Sequence, residues 1–424
     1  MRSWLQSFAV YRNPRVLAML FLGFSAGLPI LLVFGTLSAW LNSAGVDKTT
    51  IGFVSWVALA YGLKFVWSPL VDRAKIPLLT RLLGQRRSWM LAAQVGVISG
   101  LLLMAVTDPE THLHWLVAYA VLTAFSSATQ DITIDAWRIE AVEDDMQGAM
   151  AGTYQLGYRI GMIIAGSMAF VLADYFSWPV AYMSMAVFML VGIASTFIIS
   201  EPDHSHRDQE WATEKRVLDL LERTAHLPQK VRKLQAWFVG AVICPFADFF
   251  NRHGWNALAI LGFIAVFRMS DITLGVMAFP FYQDMGYTGS QIGLVSGLVG
   301  KFVTISGALI GGVLVVRYGV MKMLLAGAVI VIMTNLLFAW LATQQPLLVW
   351  LVLVVGADNL AGGLAGTVFI AYLSSLTNRG YTATQYALFS SIMLFLPKFV
   401  GGFTGVVVDA SGYEWFFIYA ASLG

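Results

Sequence analysis

Eight ionisable side chains lie deep inside the most apolar stretches of this chain: Lys64, Asp131, Arg159, Arg268, Asp271, Lys301, Asp358 and Lys398. In such surroundings carboxyl groups exchange protons, while guanidinium and ammonium groups hold anions or pair with the carboxylates. Spacing links some of them: Asp131 and Asp135 are four residues apart and Arg268 and Asp271 three, so on a helix each pair shares a face. A charge in an apolar interior is costly and normally faces a cavity or a partner. Eight, of both signs, imply a polar pathway through a helical bundle, as in a transporter or channel.

The elements that position them must be membrane helices. The 424 residues are 58% hydrophobic and 12% charged, with a mean hydropathy of +0.72, too apolar for a soluble enzyme. A spanning helix needs about 20 apolar residues. Twelve stretches qualify, near 16–41, 50–70, 88–106, 114–139, 149–173, 178–200, 256–280, 291–316, 321–342, 347–376, 384–408 and from 413 onward. The last is too short to span, so a truncated final helix is expected. The first is too long for a signal peptide and lacks a small-residue cleavage site. Cys244 is the one cysteine, and the His pairs 112/114 and 204/206 sit in polar connectors. No disulfide, metal site or cofactor is expected, and nothing suggests nucleic acid.

Basic residues mark one face: Arg12, Arg15, Arg73, Lys75, Arg81, Arg86, Arg87, Arg138, the cluster from Arg207 to Arg252, Arg317, Lys322 and Arg379. The opposite loops carry Asp108, Glu110, Asp174, Asp284, Asp409 and Glu414, with Lys48 as their lone cation. The basic face reads as cytoplasmic, and an even number of spans puts both termini there.

The chain also repeats itself. Gly45 precedes Ile51-Gly52-Phe53-Val54-Ser55, and Gly286 precedes Ile292-Gly293-Leu294-Val295-Ser296 at the same spacing. Asp174 and Asp409 each close a span before an aromatic-rich restart. A six-helix unit copied in the same orientation gives two bundles, residues 1–200 and 255–424. Such a parallel repeat places a substrate site between the halves near the midplane. Residues 201–254 read as a linker with amphipathic helices on the membrane surface, carrying Leu218, Leu221 and Leu234.

Two loops resemble the major facilitator signature Gly-x-x-x-Asp-Arg-x-Gly-Arg-Arg. The first runs Ser68-Pro69-Leu70-Val71-Asp72-Arg73, then Gly84-Gln85-Arg86-Arg87; the second runs Gly312 to Arg317, with Val316 where Asp is usual. A carboxylate at Asp72 can pair with basic residues and helix N-termini. By this likeness Asp72, Arg73, Asp135, Arg138 and Arg317, with Glu140, are expected to gate one face. The string Phe125-Ser126-Ser127-Ala128-Thr129-Gln130-Asp131-Ile132-Thr133-Ile134-Asp135-Ala136-Trp137-Arg138 resembles the fourth helix of AmpG-type muropeptide permeases. So do Lys64–Arg73 and the opening Gly23-Phe24-Ser25-Ala26-Gly27-Leu28-Pro29.

That resemblance implies an all-α major facilitator fold and a bacterial inner-membrane importer of 1,6-anhydro-muropeptides driven by protons. It is expected to act as a monomer in the lipid bilayer. A related branch moves acetyl-CoA, so another organic anion is the alternative; a membrane-embedded transferase lacks the catalytic constellation and large loops it needs.

At about 1.5 Å per residue, Arg159 lies roughly 15 Å inside its span and Lys301 and Asp358 are comparably central. Arg159, Arg268, Lys301 and Lys398 are candidates for binding substrate carboxylates, or else for internal salt bridges. Gln130, Tyr61, Tyr154, Tyr158 and Asn359 are candidates for the sugars, with Gln155 also available, though packing explains the aromatics as well. Asp131, Asp271 and Asp358 are the candidates for proton coupling, Asp131 first. Asp271 has Arg268 as a possible partner, and Asp358 has Lys301 or Lys398.

Overall fold

The computed structural model describes residues 10–46, 54, 57, 59–202, 217, 228–401 and 404–424. Lys48, most of the segment Ile51–Ser55, Arg207, Leu218, Leu221 and the side chains of Leu234, Lys398 and Asp409 lie outside that description. The first bundle comprises α1 (Pro14–Leu41), α2 (Leu59–Leu63, Lys64–Val66 and Ser68–Arg73 in succession), α3 (Gln85–Ala105), α4 (Leu113–Ala141), α5 (Asp144–Tyr175) and α6 (Trp178–Ile198). The second comprises α7 (Asn256–Val266, then Met269–Asp284), α8 (Gly289–Ile292, Gly293–Val299, Gly300–Tyr318), α9 (Val320–Leu341) and α10 (Leu348–Leu376). It ends with α11 (Thr382–Gly401) and the segment Thr404–Ser422, in which Gly412 at φ 79° turns the chain from α11 into α12.

Nine helices among the described residues are long and apolar enough to cross a membrane. Eight are expected spans. α4 is excluded from them by its own polar residues, from Gln130 to Glu140, which are the ones that could do chemistry. The ninth is the linker helix Gln229–His253. Its Gly240 lies against the Arg73 guanidinium at the end of α2, and its Asp248 binds Asn378 and Gln385 between α10 and α11. Those contacts are eight residues apart, about 12 Å on a helix. Both lie at the basic ends of spans, so this helix crosses the basic face beneath both halves.

Local signals start the helices. Asn13 accepts from Arg15 N ahead of Pro14, and Ser177 accepts from Val180 N ahead of α6. The repeat has a conformational basis too: Gly45 and Gly286 take φ of 76° and 95°, and Gly84 and Gly319 take 91° and 84° in the two signature loops. Only glycine adopts those turns without strain.

Apolar burial cannot by itself drive helices together in lipid, so close packing at small residues does. α1 and α5 meet along Gly23, Gly27, Gly157 and Gly161; a Cβ on Gly157 would sit on the Leu20 carbonyl and one on Gly161 on the Phe24 carbonyl. Polar pairs lock the same bundle, Gln130 to Ser25 at 2.8 Å and Thr196 to Gln94 at 3.0 Å. In the other bundle Ser270 bridges Asn335 of α9 and the Ala420 carbonyl of α12.

Gly157→Val should force α1 and α5 apart at a backbone contact. A loss of about 1–3 kcal/mol is expected for such overpacking, read as a lower thermal midpoint in detergent than for Leu156→Val, which alters a neighbouring position without that backbone clash.

Candidate transport site and gate

α5 and α8 touch across the two halves at small residues. A Cβ on Gly152 would stand 3.0 Å from the Ala308 carbonyl, and one on Gly312 2.8 Å from the Gly148 carbonyl. Tyr11, just before α1, closes this seam, its hydroxyl donating to the Leu309 carbonyl at 3.1 Å. Burial pushes that phenol up to about 12, so it stays a donor at physiological pH. Seven residues farther along each helix, toward the acidic face, stand Arg159 and Lys301. Here the helices border a cavity of about 360 Å³. Its walls are Gln155 and Arg159 of α5, Arg268 and Asp271 of α7, Ser296, Lys301, Thr304, Ile305 and Ala308 of α8, and Asp358, Asn359, Gly362, Gly363 and Gly366 of α10.

Broken helix geometry positions several of these groups. Arg268 lies in the interruption of α7, its carbonyl accepting from Ile272 N as the next segment starts. Lys301 follows a π-helical turn, Gly293–Val299, and another, Ile164–Met168, follows Arg159 by one turn. Interrupted spans and π turns recur at membrane binding sites because they re-aim side chains and free backbone groups. Arg268 pairs with Asp271. Among the described residues Arg159 and Lys301 form no ion pair, nor does Asp358 join Lys301. Asn359 is held by Thr304, which donates to its Oδ1 at 2.7 Å. The cavity thus offers two uncommitted cations to an anion.

A second charged cluster lies in the first bundle, toward the basic face. Lys64, enclosed in the irregular turn of α2, stands 3.8 Å from Asp135; Arg138 is 3.5 Å from Asp135 and donates to Ser374 Oγ of α10 at 2.8 Å. Asp131 is buried within electrostatic reach of Lys64 and Asp135, and its Oδ1 has no hydrogen-bond partner.

At the basic face the halves are stitched together. Asp72 accepts from Arg86 Nη2 at 2.7 Å and from the Thr384 amide and hydroxyl, both at 3.0 Å, at the N-terminus of α11. Arg86 also binds Glu140 at 2.6 Å and Thr382 Oγ1 at 2.8 Å, and Thr382 in turn contacts Glu140. Arg379 reaches the Val142 carbonyl at 3.2 Å and Glu143 at 3.5 Å. Arg73 lies 5.8 Å from the Tyr381 ring centre, and Arg317 5.2 Å from that of Tyr318. Glu201, at the start of the linker, accepts from the Arg86 and Arg87 amides, capping α3, while Arg87 donates to the last carbonyls of α6.

The structure divides the sequence candidates. Arg159, Arg268, Lys301, Asn359, Asp271 and Asp358 line the cavity. Gln130 is enclosed against Ser25; Tyr61, Tyr154 and Tyr158 do not line it, and Tyr154 packs against Tyr158 at 5.8 Å. Asp131 and Asp135 belong to the second cluster. Asp271 takes the partner considered for it, Arg268. The sequence does not single out Ser374, near the end of α10, or Thr382 and Thr384, at the start of α11, and it marks Arg379 only as one of the charges of the basic face; their roles come from the opposing bundle.

Among the described residues, twelve helices in two bundles, a central charged cavity and one closed face define a multi-pass membrane transporter. The sequence matches the Major Facilitator Superfamily over residues 17–402. The chain belongs to that superfamily and, within it, to the AmpG-type permeases. It is 33% identical to the anhydromuropeptide permease of Escherichia coli (strain K12), over 98% of this chain and 79% of that protein. It is 32% identical to the putative transporter AmpG 4 of Rickettsia felis, over 98% and 95%. The fold is shared with a proton:xylose symporter, TM-score 0.63 at 11% identity over 98% and 93% of the two chains. A human organic anion transporter, MFSD10, gives 0.61 at 14% over 96% and 97%. The protein is therefore a transporter rather than an enzyme.

Asp72→Asn should weaken the Arg86 contact and the tie to α11. Spin labels at the basic-face ends of α4 and α10 should then show more of the long-distance population, with slower turnover. An unchanged distance distribution with normal turnover would leave Asp72 with no part in closure.

Proposed function

We propose that this transporter imports 1,6-anhydro-muropeptides from periplasm to cytoplasm across the bacterial inner membrane, by alternating access and with protons. The observation that carries the reading is the pair Arg159 and Lys301, uncommitted cations lining a cavity between the halves, in a chain one-third identical to a muropeptide permease. A muropeptide presents several carboxylates, which guanidinium groups hold bidentately, and sugar hydroxyls, which Asn359 and Gln155 are placed to meet. The basic face, being the cytoplasmic one by its Lys and Arg content, puts both termini in the cytoplasm. The cavity then loads from the periplasm while the basic face is tied shut. Asp131 is the proposed proton carrier: it is buried, its Oδ1 has no hydrogen-bond partner, and it lies within electrostatic reach of Lys64 and Asp135. The protein works as a monomer, the cavity lying within one chain.

Labelled anhydro-muropeptide should accumulate in energised vesicles and fail to do so with a protonophore, whereas acetyl-CoA, the alternative cargo, should not accumulate. Arg159→Gln should weaken muropeptide binding roughly ten- to a hundredfold, the cost of a lost charge-assisted hydrogen bond. Asp131→Asn should retain exchange of bound substrate and lose gradient-driven accumulation. Acetyl-CoA uptake in place of muropeptide would reassign the cargo, and wild-type accumulation by Asp131→Asn would move the proton site elsewhere.

A further inference from the structure

The linker helix Gln229–His253 carries an exposed apolar stripe, Val231, Phe238, Ile243 and Phe250. These residues follow one another at seven, five and seven positions. The π turn Val239–Ile243 takes up the extra residue of the middle step, so all four share one face. Such a face on a basic helix lies in a membrane leaflet rather than in water. Phe250 also lines a cavity of about 140 Å³ between this helix and α11, together with Phe246, Phe249, Leu388, Phe389 and Ile392. The two polar side chains at its wall spend their groups elsewhere. Thr384 donates its amide and hydroxyl to Asp72; Gln385 donates to Asp248 and the Pro245 carbonyl and accepts from Arg252 and the Asn378 amide. An apolar cavity of this size stays dry and takes hydrocarbon. Because Phe250 belongs to both, the cavity opens on the stripe, where lipid chains lie.

Polar groups stand beside it. His253, one turn past Phe249 on the same helix, has its ring 4.9 Å from that of Phe249. Its Nε2 is buried and, among the described residues, has no hydrogen-bond partner. Arg252 reaches Gln385 at 3.1 Å and keeps its side chain 35% exposed, open to a further partner. Asp248 is the one carboxylate of this helix, against Lys230, Arg232, Lys233 and Arg252. Hydrocarbon walls next to an unpartnered ring nitrogen and a guanidinium complement an amphiphile with an anionic head. We propose that this cavity seats an acyl chain of an anionic phospholipid from the leaflet at the basic face, its phosphate meeting Arg252 and His253, and that the bound lipid braces α11 where Thr384 holds Asp72. Anionic lipids gather around basic helices at the cytoplasmic leaflet, the one this face adjoins by its Lys and Arg content. The chain supplies the dispersion contacts that the lining of an empty cavity lacks. It does so between Phe249 and Leu388, one turn along α11 from Thr384. The site is separate from the charged cavity between the halves and does not depend on the cargo.

The test uses the full-length protein in phosphatidylcholine vesicles that hold a trace of phosphatidylglycerol with a diazirine near the end of one acyl chain. Photolysis and peptide mapping should place the label within 246–250 and 388–392. Labelling there should exceed that by the same diazirine chain on phosphatidylcholine roughly fivefold, as one ionic contact with the head gives. Leu388→Trp fills the cavity and should lose the label from either lipid. His253→Phe keeps a ring and drops the nitrogen, and should bring phosphatidylglycerol down to the phosphatidylcholine level; it crowds no core, so it decides the matter if Leu388→Trp does not fold. Label scattered over other helices, equal labelling by the two lipids, or labelling that His253→Phe leaves unchanged would overturn the site. Spin labels at the basic-face ends of α4 and α11 read the bracing. Phosphatidylglycerol should raise the short-distance population of the wild type and not that of His253→Phe. The same response in both proteins would overturn the link to closure.

Discussion

Arg86 is fully enclosed at the junction of the two bundles, and its charge has to be met where water does not reach it. Asp72 from α2 and Glu140 from α4 meet it, and both carboxylates also touch α11 through Thr384 and Thr382. Removing a partner from such a cluster leaves an unpaired buried charge, which costs far more than the intact cluster contributes. The arrangement is therefore less a source of stability than a condition on geometry. The basic face is closed in the one position where α11 completes the coordination of Asp72 and Glu140. The capping carboxylate of Glu201 fixes the main chain of Arg86 from the other side, so the arginine is positioned by α2, α4, α11 and the linker together.

The cavity follows from the same closure. With the basic ends drawn together, α5 and α8 cross at Gly148, Gly152, Ala308 and Gly312, where the Val315 side chain and the Tyr11 hydroxyl take the space that the glycines leave. Two turns beyond that crossing, roughly 10 Å along each axis, the same helical faces carry Arg159 and Lys301. One pair of helices thus supplies both the close-packed seam toward the basic face and, above it, two cations that line the cavity. Separating the glycine contacts would open the floor while leaving Arg159 and Lys301 on the faces that then look toward the basic side.

Much of this was legible in the sequence, for reasons that are local. Hydropathy marks spans because every backbone amide in lipid must be satisfied within a helix. The repeat at Gly45 and Gly286 is visible because both turns need a positive φ. The signature loop identifies Asp72 and Arg86, and the apolar context of Arg159, Arg268, Lys301, Asp271 and Asp358 marks them as cavity candidates. What was not legible depends on the opposing bundle. Thr382 and Thr384 matter because α11 begins under Asp72, and nothing in their neighbours says so. That Gln130 and Tyr154 do not line the cavity is not legible because side-chain direction on a many-sided apolar helix has no strong periodic signal; Gln130 donates to the Ser25 hydroxyl and Tyr154 packs toward α1. The linker looked like a surface helix, but the contacts of Asp248 and Gly240 with both halves come from tertiary structure.

The spatial separation of the two charged clusters bears on how such a machine can move at all. The ties across the basic face, at Asp72, Glu140, Arg138 and Arg379, number only a few hydrogen bonds between halves. Each is charge-assisted, worth about 1.5–3 kcal/mol, and on opening its partners exchange one another for water. The glycine seam between α5 and α8 adds packing but little apolar area. A ligand moves the balance between closed and open states only by its differential affinity for the two. Binding charges inside the seam itself would have made substrate contact and closure the same interaction, and release would then require breaking both at once. With the cavity cations two turns away from the glycine seam, and on other residues than the carboxylates that tie the basic face, the charge of the cavity and its closure are set by different side chains, joined through the helices that carry them.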